Sequence, residues 1–220
     1  MACTVTNKID WSTVPQTKHG DDVFWGMIVP DEIAKLMRLH EAIRKWKDLT
    51  NSEFQEICDS VKQQQNSVWD RYSYDPLEDE AFMLLDTQRV MFANLGVSIA
   101  ATAENFIIRV GMYRGLNCLN GDGQPHFDIA CRCLGCSLKV VIFELPGYKE
   151  NQRARMLGNC FKHSEGKTSD RYARKYKVPV GQAIEYEKED WTGMIEGTRF
   201  LLTEISQRLT KDNTPVGTPD

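Results

Sequence analysis

Apolar side chains recur every three or four residues over much of the chain, which is the spacing of one face of an α-helix. The longest such run extends over residues 77–114. Its apolar positions include Phe82, Leu85, Phe92, Leu95, Ile99, Phe106, Val110 and Tyr113. Small residues lie between them at positions 93, 96, 100, 101 and 103, and they would let a second helix approach closely. We therefore predict a long central helix that packs against a neighbour or forms a dimer surface.

Shorter stretches with the same periodicity predict four further helices. They cover residues 30–49, 50–71, 148–162 and 190–211. Pro30 is a suitable first helical residue for the earliest of them, because its missing N–H is not needed there. Thr50 and Glu53 have the spacing of a capping box, which predicts that a separate helix begins at that point.

The segments between these helices have weaker signals. Residues 1–29 and 172–186 have no clear period, and residues 117–125 are rich in turn-forming side chains. Residues 138–145 are apolar enough to form either a short strand or a buried helical segment. Residues 212–220 are predicted to be disordered, because they form a polar chain end that contains two prolines.

The composition favours a folded intracellular protein. Apolar residues make up 41% of the chain, which is enough to bury a core. The longest uncharged apolar stretch, residues 90–103, is too short and too polar to span a membrane. The chain starts without the pattern of a secretory signal. An odd number of cysteines, seven in all, indicates free thiols in a reducing cytoplasm.

The charge is unevenly distributed along the chain. Residues 149–177 contain nine Lys and Arg but only three Asp and Glu, which gives a net charge of +6. Because the whole chain carries −4, the remainder carries −10. Salt screens exposed charges beyond about 10 Å, so this basic stretch could attract phosphate despite the acidic body. A solvated helix and loop surface is the alternative interpretation.

One candidate site is formed by cysteines. Cys118, Cys131, Cys133 and Cys136, with His126 between the first two, could supply four zinc ligands. Only Cys133 and Cys136 have the CxxC spacing of zinc knuckles, however. Small buried thiols are the alternative interpretation.

A second candidate site lies inside the basic stretch, in the sequence LGNCFKHSEGK. Asn159 and His163 are four residues apart, so they share one face of a helix. An Asn in that position can hydrogen-bond a ring nitrogen of the histidine and select its tautomer. Gly166 could end the helix in the left-handed conformation. A histidine beside several cations suits proton transfer at a phosphodiester, but a surface histidine has the same sequence signature.

This segment resembles the motif helix of HEPN-domain proteins, in which an Arg precedes a His by a few residues, often as Arg-Asn-x-x-x-His before a glycine-containing turn. The long helix before the motif and the helix after it agree with the family, so the resemblance covers residues 77–211. It implies an all-α, up-and-down helical bundle that commonly forms homodimers. The corresponding division of the chain is an N-terminal helical extension (1–75), a HEPN-like bundle (76–211) and a tail (212–220).

In active family members the dimer interface holds a metal-independent endoribonuclease site, so no cofactor is expected. The resemblance implies that His163 is the general acid/base and that Asn159 orients the site. The motif Arg falls at Gly158, which removes the usual cation for the phosphorane charge. Arg155 is eight residues before His163, about 12 Å along a helix, so it could act only across a dimer. Arg153, Arg155, Lys162 and Lys167 are the expected contacts to the RNA backbone.

Two main function classes follow. The chain is either a HEPN ribonuclease of a stress or phage-defence system, or a related dimerising module that binds without cleavage. Expected ligands of the binding module are RNA, a nucleotide or a cognate protein partner, and no membrane is involved. A zinc-binding module built on the cysteines is a further alternative.

Overall fold

The computed structural model describes residues 21–64 and 74–212, and these residues form a bundle of six α-helices with no β-strand. The prediction of an all-α fold is therefore confirmed. The helices are α1 (Asp21–Gln64), α2 (Tyr74–Tyr113), α3 (Phe127–Leu138), α4 (Tyr148–His163), α5 (Asp170–Tyr176) and α6 (Trp191–Asp212). The predicted helices at 77–114, 148–162 and 190–211 correspond to α2, α4 and α6. The tail predicted to be disordered begins at the end of α6, and its residues 213–220 lie outside the described part.

Helix α2 is the centre of the bundle, because α1, α3, α4 and α6 all pack against it. Its second half buries Leu95, Ile99, Ala103, Ile107 and Val110 completely. Helix α1 also belongs to this core and contributes Val29, Ile33, Leu36 and Ile43. At about 1.5 Å per residue, the 44 residues of α1 and the 40 of α2 are each roughly 60 Å long or more.

Helices α2 and α4 cross in close contact at two glycines. A Cβ atom placed on Gly96 would lie 2.7 Å from the Cα of Gly158 and 2.6 Å from the carbonyl oxygen of Ala154. Real Cβ atoms do not come this close to backbone, so both glycines are needed for the helices to touch. Two of the small residues noted in the sequence of α2, Ala93 and Gly96, therefore serve a helix contact within the chain.

A buried polar node holds three helices together beside this crossing. The side-chain amide of Asn151, on α4, donates to the carbonyl oxygen of Ile99 and to Oγ1 of Thr198, both at 2.9 Å. Thr198 lies on α6 and donates in turn to Met194. Because buried polar groups are costly unless they are paired, this node selects one arrangement of α2, α4 and α6.

Two local predictions are wrong, and one alternative that the sequence left open is decided. Helix α1 begins before Pro30 and continues through Thr50, so there is no capping box; the hydroxyl of Thr50 donates to Lys47 and accepts from Gln88 of α2. Of the two alternatives for residues 138–145, the strand is absent: α3 ends at Leu138, Lys139 is left-handed, and a short 3-10 helix with Ile142 buried follows at Ile142–Glu144. Residues 172–186 are not simply a loop, since α5 crosses their start. Its cap, Ser169, accepts from the backbone N–H of Tyr172.

Helix α2 is also the one described segment that could cross a membrane by length and composition alone, over Asp79–Tyr113. Half of its most apolar window is buried inside the protein, and the central helix of a globular bundle passes the same test. The packing of Leu95, Ile99 and Ile107 is that of a core helix.

Candidate functional site on the α4 helix

The two sides of α4 differ sharply. Ala154, Leu157, Gly158 and Phe161 are buried, whereas Asn159, Lys162 and His163 are exposed. Asn159 and His163 therefore lie one turn apart on the outer side, as the spacing predicts. Neither side chain forms a hydrogen bond or ion pair with another described residue. The histidine is open to solvent and to an approaching ligand.

The C-terminal end of α4 stops as its sequence predicts. Gly166 is left-handed, with φ of +73°, and its backbone N–H donates to the carbonyl oxygen of Cys160 at 3.2 Å. Ser164 donates to the same oxygen at 2.9 Å. This arrangement satisfies a carbonyl that would otherwise lack a partner at the helix end, and it fixes the position of His163 in the last turn.

An aromatic cluster supports this end of α4 from inside. The ring of Phe161 packs edge-on against Phe92 of α2, with centroids 5.4 Å apart. Tyr186 stacks on Phe92 at 4.1 Å and on Trp191 at 5.3 Å. The backbone that carries Lys162 and His163 is therefore held by packing, even though their side chains are free.

Position 158, where the family motif has Arg, faces α2 and not the solvent. A Cβ atom placed on Gly158 would lie 2.8 Å from the backbone nitrogen of Val97 and 3.0 Å from the carbonyl oxygen of Ala93. There is no room for any side chain. The glycine is thus a packing residue of the bundle, and an arginine cannot occupy the motif position without separating the two helices.

The two arginines of α4 tie the helix to its neighbours. Arg155 forms an ion pair of 2.8 Å with Glu104 of α2 and lies 5.9 Å from the ring centre of Phe127. Arg153 forms an ion pair of 2.8 Å with Glu189 and lies 5.6 Å from the ring centre of Tyr176. Both guanidinium groups already have a carboxylate, so each is a weaker contact for phosphate than its sequence position suggests.

The two candidate lysines differ from one another. Lys167 lies 3.7 Å from the carboxylate of Glu165, and both side chains are exposed, so this pair contributes little stability. Lys162 has no carboxylate partner among residues 21–64 and 74–212. Of the four cations that were expected to contact RNA, Lys162 is the one left unpaired.

Four further cations of the basic stretch without a carboxylate partner among the described residues lie on or directly after α5, which the sequence did not reveal as a helix. The exposed cations there are Arg171, Arg174, Lys175 and Lys177. Burial, and then the neighbouring Arg171, lower the pKa of Lys175. Like charges four residues apart on a helix are destabilising by about 0.2–0.5 kcal/mol. Arg171 and Lys175 are four residues apart, so this repulsive pair could have been predicted from the sequence if the helix had been recognised.

The cysteines do not form a metal centre in the described part of the chain. Cys118 and Cys131 are buried, Cys133 is half-buried and Cys136 is exposed, all as free thiols. Burial raises the pKa of Cys131 to about 12, which disfavours the thiolate that zinc needs. No group of three or more His, Cys, Asp and Glu side chains in the described ranges is arranged to hold a metal ion.

Comparison with protein-family models, with curated proteins and with solved structures gives no match to this chain.

Proposed function

We propose that this chain is a HEPN-like module that self-associates and binds a partner without cleaving it, in the cytoplasm and as part of a stress or phage-defence system. The partner is RNA, a nucleotide or a cognate protein. The proposal rests on the sequence resemblance over residues 77–211, on the all-α bundle and on the open face of α4. The free thiols of the described cysteines are in keeping with a reducing compartment.

The observation that favours binding over cleavage is the packing of Gly158. A ribonuclease of this family needs a cation at the motif position to stabilise the developing charge on phosphorus. Loss of one such preorganised group typically raises a barrier by about 3–4 kcal/mol, or a factor of 10²–10³ in rate. The arginine nearest to Gly158 in the sequence, Arg155, is engaged by Glu104. His163 therefore lacks the partner that a catalytic role requires.

The exposed apolar side chains on the first half of α2 favour self-association. Phe82 and Met83 are 70% and 71% exposed, and Leu85 and Val90 are each about half exposed. Met83 and Val90 are seven residues apart, so they lie on the same side of the helix. Large apolar side chains clustered on one exposed segment are typical of a protein–protein contact.

An RNA assay tests the catalytic part of the proposal. Wild type and His163→Ala are incubated with structured and single-stranded RNA, in the presence and absence of EDTA. Neither protein should cleave, because the cation is missing. Cleavage by wild type that His163→Ala abolishes, with helix content and mass unchanged, would replace the binding module by a ribonuclease.

Sedimentation analysis tests the association part. Wild type should sediment at twice the mass of the monomer, and Met83→Ser should shift it toward the monomer. Val141→Ser is the matched control, because Val141 is also an exposed apolar residue but lies far along the chain, after α3. A wild-type protein that stays monomeric at high concentration would remove self-association from the proposal.

A further inference from the structure

The exposed side of α5 has more positive charge than its own surroundings neutralise. Arg171, Arg174, Lys175 and Lys177 form no ion pair with any carboxylate in the described part of the chain. Several cations on other helices do have such partners, as Lys35 with Asp31 at 2.8 Å shows. Arg174 donates only to the backbone carbonyl of Asp170, at 3.3 Å. Because like charges side by side repel, α5 is suited to an anionic neighbour from outside.

A hydrogen-bonded turn presents an apolar side chain three residues after Lys177. Val180 is 62% exposed and precedes Gly181, which is left-handed. Thr168 holds the turn from below: it donates through Oγ1 to Pro179 and accepts there from the N–H of Gln182. Its backbone carbonyl also accepts from Gly181, at 2.9 Å. The side chain of Val180 is therefore exposed, while the backbone of its turn is held by hydrogen bonds to Thr168.

Negative charge and exposed apolar side chains occur together where α1 ends and α2 begins. Among the described side chains there, Glu53 and Glu56 of α1 and Asp79 and Glu80 of α2 are exposed carboxylates. Residues 51–60 contain no Lys or Arg. Phe82 and Met83 follow directly on α2 and are largely exposed. This acidic tip, made of these four carboxylates and two apolar side chains, combines negative charge with an apolar anchor.

We propose that the α5 surface, made of Arg171, Arg174, Lys175, Lys177 and Val180, receives the acidic tip of a second copy of this chain. The inference deepens the proposed self-association by naming its two faces. Charge complementarity carries it. The α5 face has four cations without a carboxylate partner among the described residues, and the sequence around the tip, residues 51–90, contains nine Asp and Glu but only three Lys and Arg.

An apolar residue on each face supports a protein partner over a nucleic acid. Val180 offers no ring on which a base could stack, whereas it can pack against Phe82 or Met83 of another copy. In a two-fold dimer the contact would occur twice, once at each tip, and the assembly would be closed.

A charge swap tests this contact. The first variant is Arg171→Glu with Arg174→Glu and Lys177→Glu, and the second is Asp79→Lys with Glu80→Lys. Each should raise the Kd of the dimer by about ten-fold or more, because the substituted side chains then face like charges. The chain that carries all five substitutions should dimerise within a few-fold of wild type. Raising the salt concentration should weaken the wild-type dimer as well.

Arg132→Glu with Lys139→Glu is the matched control, because these exposed cations also lack carboxylate partners among the described residues but lie at α3. It should leave the Kd unchanged. Circular dichroism of each variant shows that the helices are intact; all substituted side chains are exposed, so folding should be preserved.

The outcomes separate the two proposals. If the α5 variant dimerises like wild type while Met83→Ser does not, the docking surface is wrong and self-association stands. If the α5 variant keeps its dimer but loses salt-sensitive binding to a single-stranded RNA oligonucleotide, the surface takes nucleic acid and the inference is overturned. If wild type is monomeric, self-association and its docking surface fail together. If the chain with all five substitutions does not recover the dimer, direct pairing of the α5 surface with the acidic tip is also contradicted.

Discussion

Helix α2 divides near Val90 into a first half, residues 74–90, and a second half, residues 91–113, which have similar sequence patterns and opposite environments. Phe82, in the first half, is 70% exposed, whereas Phe92, in the second half, is 6% exposed and stacks on Tyr186. The second half has α1, α3, α4 and α6 against it, while the first half leaves most of its large apolar side chains open. Apolar periodicity therefore predicts where a helix is, but not which of its apolar residues stabilise the monomer.

The largest expected effect comes from placing a side chain between α4 and the second half of α2, where Gly158 meets Gly96. Gly158→Arg should destabilise the fold by roughly 5 kcal/mol or more, since no side chain fits between α4 and α2. Denaturant unfolding of the variant measures this loss. Gly121→Ala is the control, because a Cβ there meets nothing within 4 Å. A stable Gly158→Arg protein that cleaves RNA would show that α4 can move away and that the motif is restorable.

The difference between the two halves of α2 is tested most directly by the same substitution at one phenylalanine in each half. Phe92→Ala should lower the free energy of unfolding by about 3–5 kcal/mol, because it leaves a cavity in the aromatic cluster. Phe82→Ala should change the unfolding of the monomer by less than about 0.5 kcal/mol. Both are measured by urea denaturation at low protein concentration. Equal losses for the two variants would mean that both halves of α2 are buried.

A smaller effect is expected at the polar node. Asn151→Ala should reduce the free energy of unfolding by about 1–3 kcal/mol, since the hydroxyl of Thr198 then loses a buried partner. Thermal unfolding of Asn151→Ala, Thr198→Val and the double variant gives the coupling between the two side chains. Asn94→Ala, an exposed change on α2, provides the baseline. Strict additivity would contradict the hydrogen bond.

The smallest effect is expected where the two halves meet. The amide of Gln88 donates to Oγ1 of Thr50 at 2.7 Å and to Asn51 at 3.3 Å, which joins α1 to α2. Gln88→Ala should cost about 0.5–1.5 kcal/mol of unfolding free energy. Gln55→Ala, on the exposed side of α1, should be nearly neutral in the same denaturation series. If Gln88→Ala has no effect, these hydrogen bonds between α1 and α2 do not contribute measurably to stability.

The sequence was a good guide to the helices and a poor one to their contacts. The bounds of α2, α4 and α6 followed from apolar periodicity, because each has a continuous buried side. Thr50 was misleading: its capping pattern is local, whereas its partner, Gln88, is 38 positions away in the chain. Helix α5 was missed because seven residues are too few to show a period.

The candidate site shows the same limit. The shared face of Asn159 and His163 and the left-handed Gly166 follow from local geometry, and the structure has both. The partners of Arg153 and Arg155 could not be predicted, because Glu189 and Glu104 approach only through the fold. The role of Gly158 depends likewise on Gly96, which is distant in sequence.

The turn held by Thr168 has a consequence for hydrogen exchange. The amides of Gly181 and Gln182 are near the surface, yet both are bonded to Thr168, a residue that is itself almost fully buried. Solvent deuterium can replace these two protons only when the turn opens. An outward-facing loop should therefore retain protons about as long as the neighbouring end of α5 does.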